Sequence, residues 1–67
     1  MRDTDDRFSV QVRLKKVTDK AFLCRIEGAD YWIPKSQIFF EETEVAEEGD
    51  EGELTMSEWI ASEKALL

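Results

Sequence analysis

The 67-residue sequence predicts a mainly β fold: a small curled antiparallel sheet, or an SH3- or OB-like barrel, of about five short strands with one C-terminal helix. Two observations predict it. Residues 8–15 alternate strictly between apolar and polar side chains, which is the two-residue period of a half-buried strand. Residues 21–34 form a β-hairpin pattern, with Gly28 in the turn and Pro34 at the end of the second strand. The apolar residues are too few to cover both faces of a flat sheet, so curling into a barrel is favoured.

The first three strands are predicted to follow one another as an antiparallel meander. Residues 18–20 supply the turn between the first strand and the hairpin. In the second hairpin strand, Trp32 is expected in the core, because a domain this small needs nearly every large apolar side chain. The alternative places Tyr31 and Ile33 inward and Trp32 outside. The inner face of the first strand is predicted to consist of Phe8, Val10, Val12 and Leu14.

The rest of the chain is predicted to be less regular. Residues 35–37 read as a single helical turn, and residues 38–40 as a short strand or a segment that covers an open end of the sheet. Residues 53–56 alternate again as a last short strand. Ser57 is a good N-cap for a helix that continues to Leu67. Trp59 lies one heptad before Leu66, so we expect it to be buried in a helix that plugs one mouth of the barrel.

Length and composition predict one domain, residues 1–67, with a frayed N-terminus at residues 1–6 and an acidic loop at residues 41–53. Cys24 is the only cysteine and falls on an inward strand position, so we expect a buried, unpaired thiol. The first residues lack the apolar segment of an export signal, and no apolar run is long enough to span a membrane. These features predict a soluble, cytoplasmic protein.

Charge is distributed unevenly along the chain. The formal net charge is −7, but residues 7–35 carry seven basic and three acidic residues, a net of +4. Residues 36–67 carry one lysine and ten acidic residues, a net of −9. If the two halves fold onto different faces, this asymmetry predicts a polarised surface.

The sequence contains none of the residue combinations typical of an active site. It has no histidine, the commonest general base and metal ligand. Cys24 and Arg25 are adjacent strand residues and point to opposite faces, so they cannot act as a pair. The acidic stretch around Gly49 lacks the ligand spacing of a calcium loop. We therefore expect no enzymatic activity, no cofactor and no dedicated metal site.

The acidic stretch is the first candidate binding surface. Carboxylates spaced along a surface can imitate DNA phosphates and bind a partner's basic groove. A solvated loop, kept extended by its like charges, is the competing interpretation of the same pattern. The predicted partner-binding residues are Glu41, Glu42, Glu44, Glu47, Glu48, Asp50, Glu51 and Glu53.

The polar face of the first strands is the second candidate surface. Basic side chains interleaved with aromatic rings suit single-stranded nucleic acid, whose bases stack while its phosphates pair. The acidic balance of the whole chain opposes such binding, so a protein partner with a basic surface is favoured over direct nucleic-acid binding. The alternative nucleic-acid-binding residues are Arg13, Lys15, Lys16, Lys20, Arg25 and Trp32.

The segment YWIPKSQI, followed by an acidic glycine-containing stretch and then SEWIASEKALL, resembles a group of small bacteriophage and mobile-element proteins. They carry a Trp-Ile-Pro-Lys-Ser-Gln-Ile-like core and a tryptophan-containing tail. The likeness covers roughly residues 18–67. It implies a phage or prophage setting, and hence the cytoplasm of the host cell. By analogy, small acidic phage proteins often bind host machinery, including anti-CRISPR and other counter-defence inhibitors, some of which are DNA mimics.

Overall fold

The structure, a computed structural model, describes residues 7–66. The predicted frayed segment 1–6 and the predicted helix end at Leu67 lie outside these residues. The mainly β class, the antiparallel sheet and the C-terminal helix are confirmed. The elements are strands β1 (Arg7–Val17), β2 (Ala21–Ile26), β3 (Ala29–Pro34) and β4 (Glu51–Ser57), two 3₁₀ turns (Lys35–Gln37 and Phe40–Glu42) and helix α1 (Glu58–Glu63).

Four strands form one sheet in the order β3-β2-β1-β4, all in antiparallel pairs. The outer strands β3 and β4 do not pair with each other, so the sheet is unclosed and the favoured prediction of a barrel is wrong. The long strand β1 joins the two halves: its residues 7–13 pair with β4, and its residues 13–17 pair with β2. A register shift between Leu14 and Lys16 interrupts the second half. Such a bulge bends and twists a strand, which curls the sheet without closing it.

The β2–β3 hairpin has a tight two-residue turn. Ile26 pairs with Ala29, and the turn residues Glu27 and Gly28 both have positive φ angles, 51° and 86°. Positive φ at both positions is the requirement of the type I′ turn, whose twist matches that of the strands. The turn is therefore two residues shorter than the predicted turn over residues 27–30, and β3 is correspondingly longer.

The segment after β3 crosses the sheet and then follows the outer edge of β4. Ile38 forms an isolated bridge with Met56, and the Phe39 N–H donates to the Thr55 carbonyl at 2.9 Å. A 3₁₀ turn at Phe40–Glu42 then interrupts the pairing, which resumes where the Glu44 N–H donates to the Glu53 carbonyl. Residues 38–40 are therefore not a full strand. They match the other prediction made for them, a segment that covers an open side of the sheet.

Helix α1 packs against the core, but not through Trp59, and it ends at Glu63 instead of continuing towards Leu67, because Ala65 has a positive φ of 61°. Ser57 caps it as predicted, with its Oγ accepting from the Ile60 N–H at 3.3 Å. Ile60 and Ala61 are buried, whereas Trp59 is 61% exposed, so the prediction of a buried Trp59 is wrong. The physical reason is the phase of the helix. Ser57 is buried and donates to Gln37 Oε1 at 2.6 Å, so positions i+3 and i+4 from it face inward and Trp59 faces solvent.

The core lies between one face of the sheet and the crossing segment with its helix. The predicted inner positions of β1 face this core, with Val12 and Leu14 buried and Phe8 and Val10 packed at its margin. Cys24 is buried and free, as predicted. The other buried apolar residues are Phe22, Ile26, Ile33, Ile38, Val45, Leu54, Met56, Ile60 and Ala61.

Candidate functional site

The opposite, polar face of the sheet carries a row of four charged side chains, one from each strand. Glu51 on β4 pairs in register with Arg13 on β1. Arg13 in turn is opposite Arg25 on β2, and Arg25 is opposite Asp30 on β3. Directly opposite residues point to the same face, so the charges from β4 to β3 are negative, positive, positive and negative. The two halves of the chain therefore meet on one face instead of occupying separate faces.

Ion pairs connect the members of this row. Arg25 Nε donates to Asp30 Oδ1 at 2.9 Å, and Lys15 Nζ lies 3.8 Å from Asp30 Oδ2. Arg13 Nε lies 3.5 Å from Glu51 Oε2. The hydrogen bond from Arg25 holds the pKa of Asp30 below its ordinary value. Three of the six predicted nucleic-acid-binding residues thus already have a carboxylate partner, with which a phosphate would have to compete.

A second row on the same face is less charged and more apolar. Lys16 is opposite Leu23, and Leu23 is opposite Trp32. Trp32 is 45% exposed, so the favoured prediction that it belongs to the core is wrong. Ile33 takes the buried position and Tyr31 packs at the core margin, which matches the alternative. Trp32 is therefore on the same face as Arg25 and diagonal to it in the register, while Lys20 lies in the exposed turn between β1 and β2.

The acidic tract, residues 41–53, is held in place at several points. Val45 is only 2% exposed and belongs to the core. The Glu44 N–H donates to the Glu53 carbonyl at 2.7 Å, and the Glu53 N–H donates back to Glu44 Oε1 at 2.9 Å. Near Gly49 the tract also bonds to β1, because the Gly49 N–H donates to the Leu14 carbonyl at 2.7 Å. The backbone of the tract is therefore anchored to the sheet instead of extended and free, although most of its acidic side chains are exposed, and its residues 51–53 belong to β4.

Asp50 organises the turn in the middle of the tract. Its Oδ2 accepts hydrogen bonds from the N–H groups of Ala46 and Glu47, both at 2.9 Å. These backbone hydrogen bonds lower the pKa of Asp50 below its ordinary value of 3.8. Asp50 is the least exposed of the eight predicted partner-binding residues, and its role in the turn is structural.

The other predicted acidic residues divide into two groups. Glu42 pairs with Arg7 at 3.3 Å, Glu51 with Arg13, and Glu48 Oε2 accepts from the Val17 N–H at 3.2 Å. Glu44 bonds to β4 as described above. Among residues 7–66, no ion pair or side-chain hydrogen bond engages the remaining carboxylates, which are exposed. These carboxylates belong to Glu41, Glu47 and Glu53.

An aromatic side chain that the sequence analysis did not single out adjoins the tract. Phe40 is 48% exposed and packs edge-to-face on Phe22, with ring centroids 5.7 Å apart. Its neighbour Phe39 lies under the Arg7 guanidinium, 4.1 Å from the ring centroid. The signal was present in the sequence, because two consecutive aromatic residues in an extended segment cannot both point inward.

The described part of the chain offers little else for chemistry. Residues 7–66 contain no cluster of three or more histidine, cysteine, aspartate or glutamate side chains placed to hold a metal ion. Burial raises the pKa of the Cys24 thiol to about 11, which keeps it protonated at neutral pH. No helix within this range is long and apolar enough to cross a bilayer.

No protein-family model, curated protein or solved structure matches this chain. The two surfaces are therefore interpreted from their geometry and charge.

Proposed function

We propose that this protein is a non-catalytic acidic binding protein whose tract 41–53 docks on the basic, nucleic-acid-binding surface of a protein partner. The observation that supports this most is that the tract is both exposed and fixed. Seven of its eight acidic side chains are exposed, while its backbone is bonded to β1 and β4. A surface held in one conformation loses less entropy on binding than a flexible loop does.

The exposed Phe40 adds an apolar contact next to this charge. Interface energy is usually concentrated in a few aromatic or arginine anchors surrounded by weaker polar contacts. Phe40 immediately precedes Glu41 and is nearly half exposed. We infer that Phe40 anchors the complex, and that Glu41, Glu47 and Glu53 steer the approach of the basic partner.

The resemblance to phage and mobile-element proteins adds a setting to this proposal. An inhibitor or accessory factor of phage origin, of the anti-CRISPR or other counter-defence kind, would act as a DNA mimic in the host cytoplasm. Its target would be a host protein whose own ligand is nucleic acid.

A matched pair of triple variants tests the proposal. Glu41→Gln/Glu47→Gln/Glu53→Gln removes three tract charges that make no ion pair or side-chain hydrogen bond within residues 7–66. The control, Asp19→Asn/Glu58→Gln/Glu63→Gln, removes three exposed charges elsewhere, so both variants have the same net charge.

The wild type, the tract variant and the control are compared in capture experiments from nuclease-treated bacterial lysate. We expect the wild type and the control to retain the same basic protein, and the tract variant to lose it. Binding should weaken steeply between about 50 and 200 mM salt, and duplex DNA should compete for the partner. Equal capture by both triple variants, or binding that is independent of salt, would contradict the proposal.

Binding of single-stranded nucleic acid is the second candidate function, and the exposure of Trp32 favours it. An exposed indole on the same face of the sheet as Arg25 is a platform on which a base can stack. The test is a fluorescence titration with an oligothymidine at low salt. Stacking predicts quenching of Trp32 and a loss of about 1–3 kcal/mol of binding free energy in Trp32→Ala. If the oligonucleotide binds neither the wild type nor Trp32→Ala, this function is excluded.

A further inference from the structure

The β2–β3 hairpin is too short to lie beside the whole length of β1. The last pair between β1 and β2 joins Arg13 to Arg25, and β2 ends one residue later at Ile26. Residues 7–10 of β1 therefore have β4 on one side, and no strand of the described chain lies on the other. We call the gap between residues 7–10 and the end of the hairpin the notch.

The backbone groups that face the notch follow from the contacts of β1 on its other side. The Leu14 N–H donates to the Asp50 carbonyl at 2.8 Å, and the Leu14 carbonyl accepts from the Gly49 N–H at 2.7 Å, so both groups of Leu14 point to the β4 side. Successive strand residues direct these groups to alternate edges. The N–H and C=O groups of Arg7 and Ser9 therefore point into the notch, where no residue between 7 and 66 bonds to them through its backbone. An uncovered edge of this kind is a template for a further strand.

A pocket of about 220 Å³ lies in the notch, on the core side of the sheet. Its lining includes residues of β1, of the hairpin and of the segment after helix α1: Phe8, Val10, Ile26, Glu27, Ala65 and Leu66. Phe8 and Val10 face the core but are only partly buried, because no strand lies beside them. An apolar cavity of about 150 Å³ is large enough for benzene, so this pocket has room for one leucine or aromatic side chain.

We propose that the notch binds the N-terminal segment of a partner chain as a short strand antiparallel to β1. The second residue of this segment lies opposite Ser9 and forms two backbone hydrogen bonds with it. The first residue lies opposite Val10, and because opposite residues share a face, its side chain enters the pocket. In complexes of this kind the main-chain hydrogen bonds supply affinity and the pocket supplies specificity.

The hairpin turn selects an N-terminal segment. It closes the notch at the end next to Val10, so a strand in the notch cannot continue past it. A strand antiparallel to β1 runs in the direction of β2, so its amino-terminal end is the end that meets the turn. Glu27 of this turn lines the pocket, and its exposed carboxylate has no ion-pair or hydrogen-bond partner among the described residues. A free α-ammonium group at this end therefore meets an unpaired carboxylate, whereas a parallel strand would bring its carboxyl-terminal end there.

This binding does not depend on the acidic tract, because the notch is on the opposite edge of β1 from β4. The probe is the hexapeptide Leu-Thr-Val-Thr-Gly-Lys with a free amino terminus, a C-terminal amide and fluorescein on the lysine. Its binding to the full chain is measured by fluorescence anisotropy. A strand pair this short buries little surface, so we expect a dissociation constant of about 0.1 mM.

Amide hydrogen exchange locates the bound peptide. The Ser9 amide should exchange rapidly in the free protein and slowly at saturating peptide. The Val10 amide, which faces β4, should be protected throughout. A Ser9 amide that is protected without peptide would show that the notch is already filled, and protection that grows with protein concentration would assign it to a second copy. Either result, or no binding at about 1 mM protein, would overturn the proposal.

Two N-methylated peptides test the backbone pairing. Methylation of the second residue removes the N–H that donates to the Ser9 carbonyl and should weaken binding by about tenfold. Methylation of the third residue, whose N–H points away from β1, is the matched control and should leave the affinity unchanged. Replacing the first residue of the peptide with serine should weaken binding by at least about tenfold, because the pocket loses its apolar side chain. Equal effects of the two methylations, or full affinity with serine, would contradict the proposed pairing.

Acetylation of the peptide tests the role of Glu27. The acetyl group removes the α-ammonium charge and should weaken binding to the wild type by about threefold to fivefold. In Glu27→Gln the same acetylation should have little effect, because the carboxylate is absent. Glu41→Gln, on the acidic tract, is the control and should behave like the wild type. Equal losses on acetylation in the wild type and in Glu27→Gln would contradict the placement of the amino terminus at the hairpin turn.

Discussion

Gly52 lies where the start of the acidic tract packs on β4, and replacing it with alanine tests how firmly the tract is held. Gly52 is buried in β4 opposite Val12. A Cβ at this position would lie 2.9 Å from Glu44 Oε1, 3.0 Å from Glu44 Cβ and 3.6 Å from Val45 Cγ1. The first two distances are too short, so Glu44 must move. At position 52, only glycine leaves enough space for Glu44 in its observed position.

The expected cost follows from that movement. Displacing Glu44 removes the hydrogen bond that its carboxylate accepts from the Glu53 N–H, and bonds to charged groups contribute about 1.5–3 kcal/mol. Because this hydrogen bond is exposed to solvent, its contribution to stability is smaller than in a buried site. Crowding by the new Cβ adds about 1–3 kcal/mol to the cost of the substitution. Alanine recovers about 0.5–1 kcal/mol because it loses less backbone entropy than glycine on folding. We expect Gly52→Ala to lower the free energy of unfolding by about 1–3 kcal/mol.

Urea unfolding of the wild type, Gly52→Ala, Glu44→Ala and the double variant provides the measurement. In the Glu44→Ala background the clash with the carboxylate is absent, although the Cβ contact remains. The cost of Gly52→Ala should therefore fall by about 1 kcal/mol, the coupling expected of residues in contact. A Gly52→Ala variant as stable as the wild type, or two fully additive substitutions, would refute the reasoning.

The remaining predictions concern the helix, the tract and the thiol. Trp59→Ala should lower the free energy of unfolding by less than about 1 kcal/mol, and Ile60→Ala by about 2–4 kcal/mol, both measured in urea. Because the folded-state pKa of Asp50 is lowered, its charge stabilises the protein above the unfolded-state pKa, and this contribution is lost as the pH falls through the folded-state value. Asp50→Asn should therefore lose less stability than the wild type between about pH 5 and pH 2, seen as a smaller shift of the urea midpoint. Cys24 should react with a thiol reagent only after unfolding, and the reaction can be measured by absorbance.

Residues that pack against their strand neighbours were predictable. The alternation in β1 assigned its inner face correctly, and Cys24 lies at the inward position that its strand indicated. Ser57 was recognisable as an N-cap because capping depends on residues within one helical turn. Local periodicity determines these features, so no knowledge of distant contacts was needed.

The tryptophans show where local patterns fail. An apolar side chain in a small domain was expected to be buried, yet Trp32 and Trp59 are both exposed. Their orientation depends on neighbours distant in sequence. Ile33 takes the buried position opposite Phe22, and the contact of Ser57 with Gln37 determines the phase of the helix.

The candidate acidic surface was visible in the sequence as composition, but its structure was not. The number and spacing of its carboxylates are properties of the chain alone. Only tertiary structure decided that Val45 would enter the core and that Glu44 would bond to β4. It likewise decided that Arg13 would pair with Glu51, because these two residues meet only when β1 and β4 lie side by side. Charge and periodicity are properties of the local sequence, whereas the partner of each charge depends on which strands become neighbours.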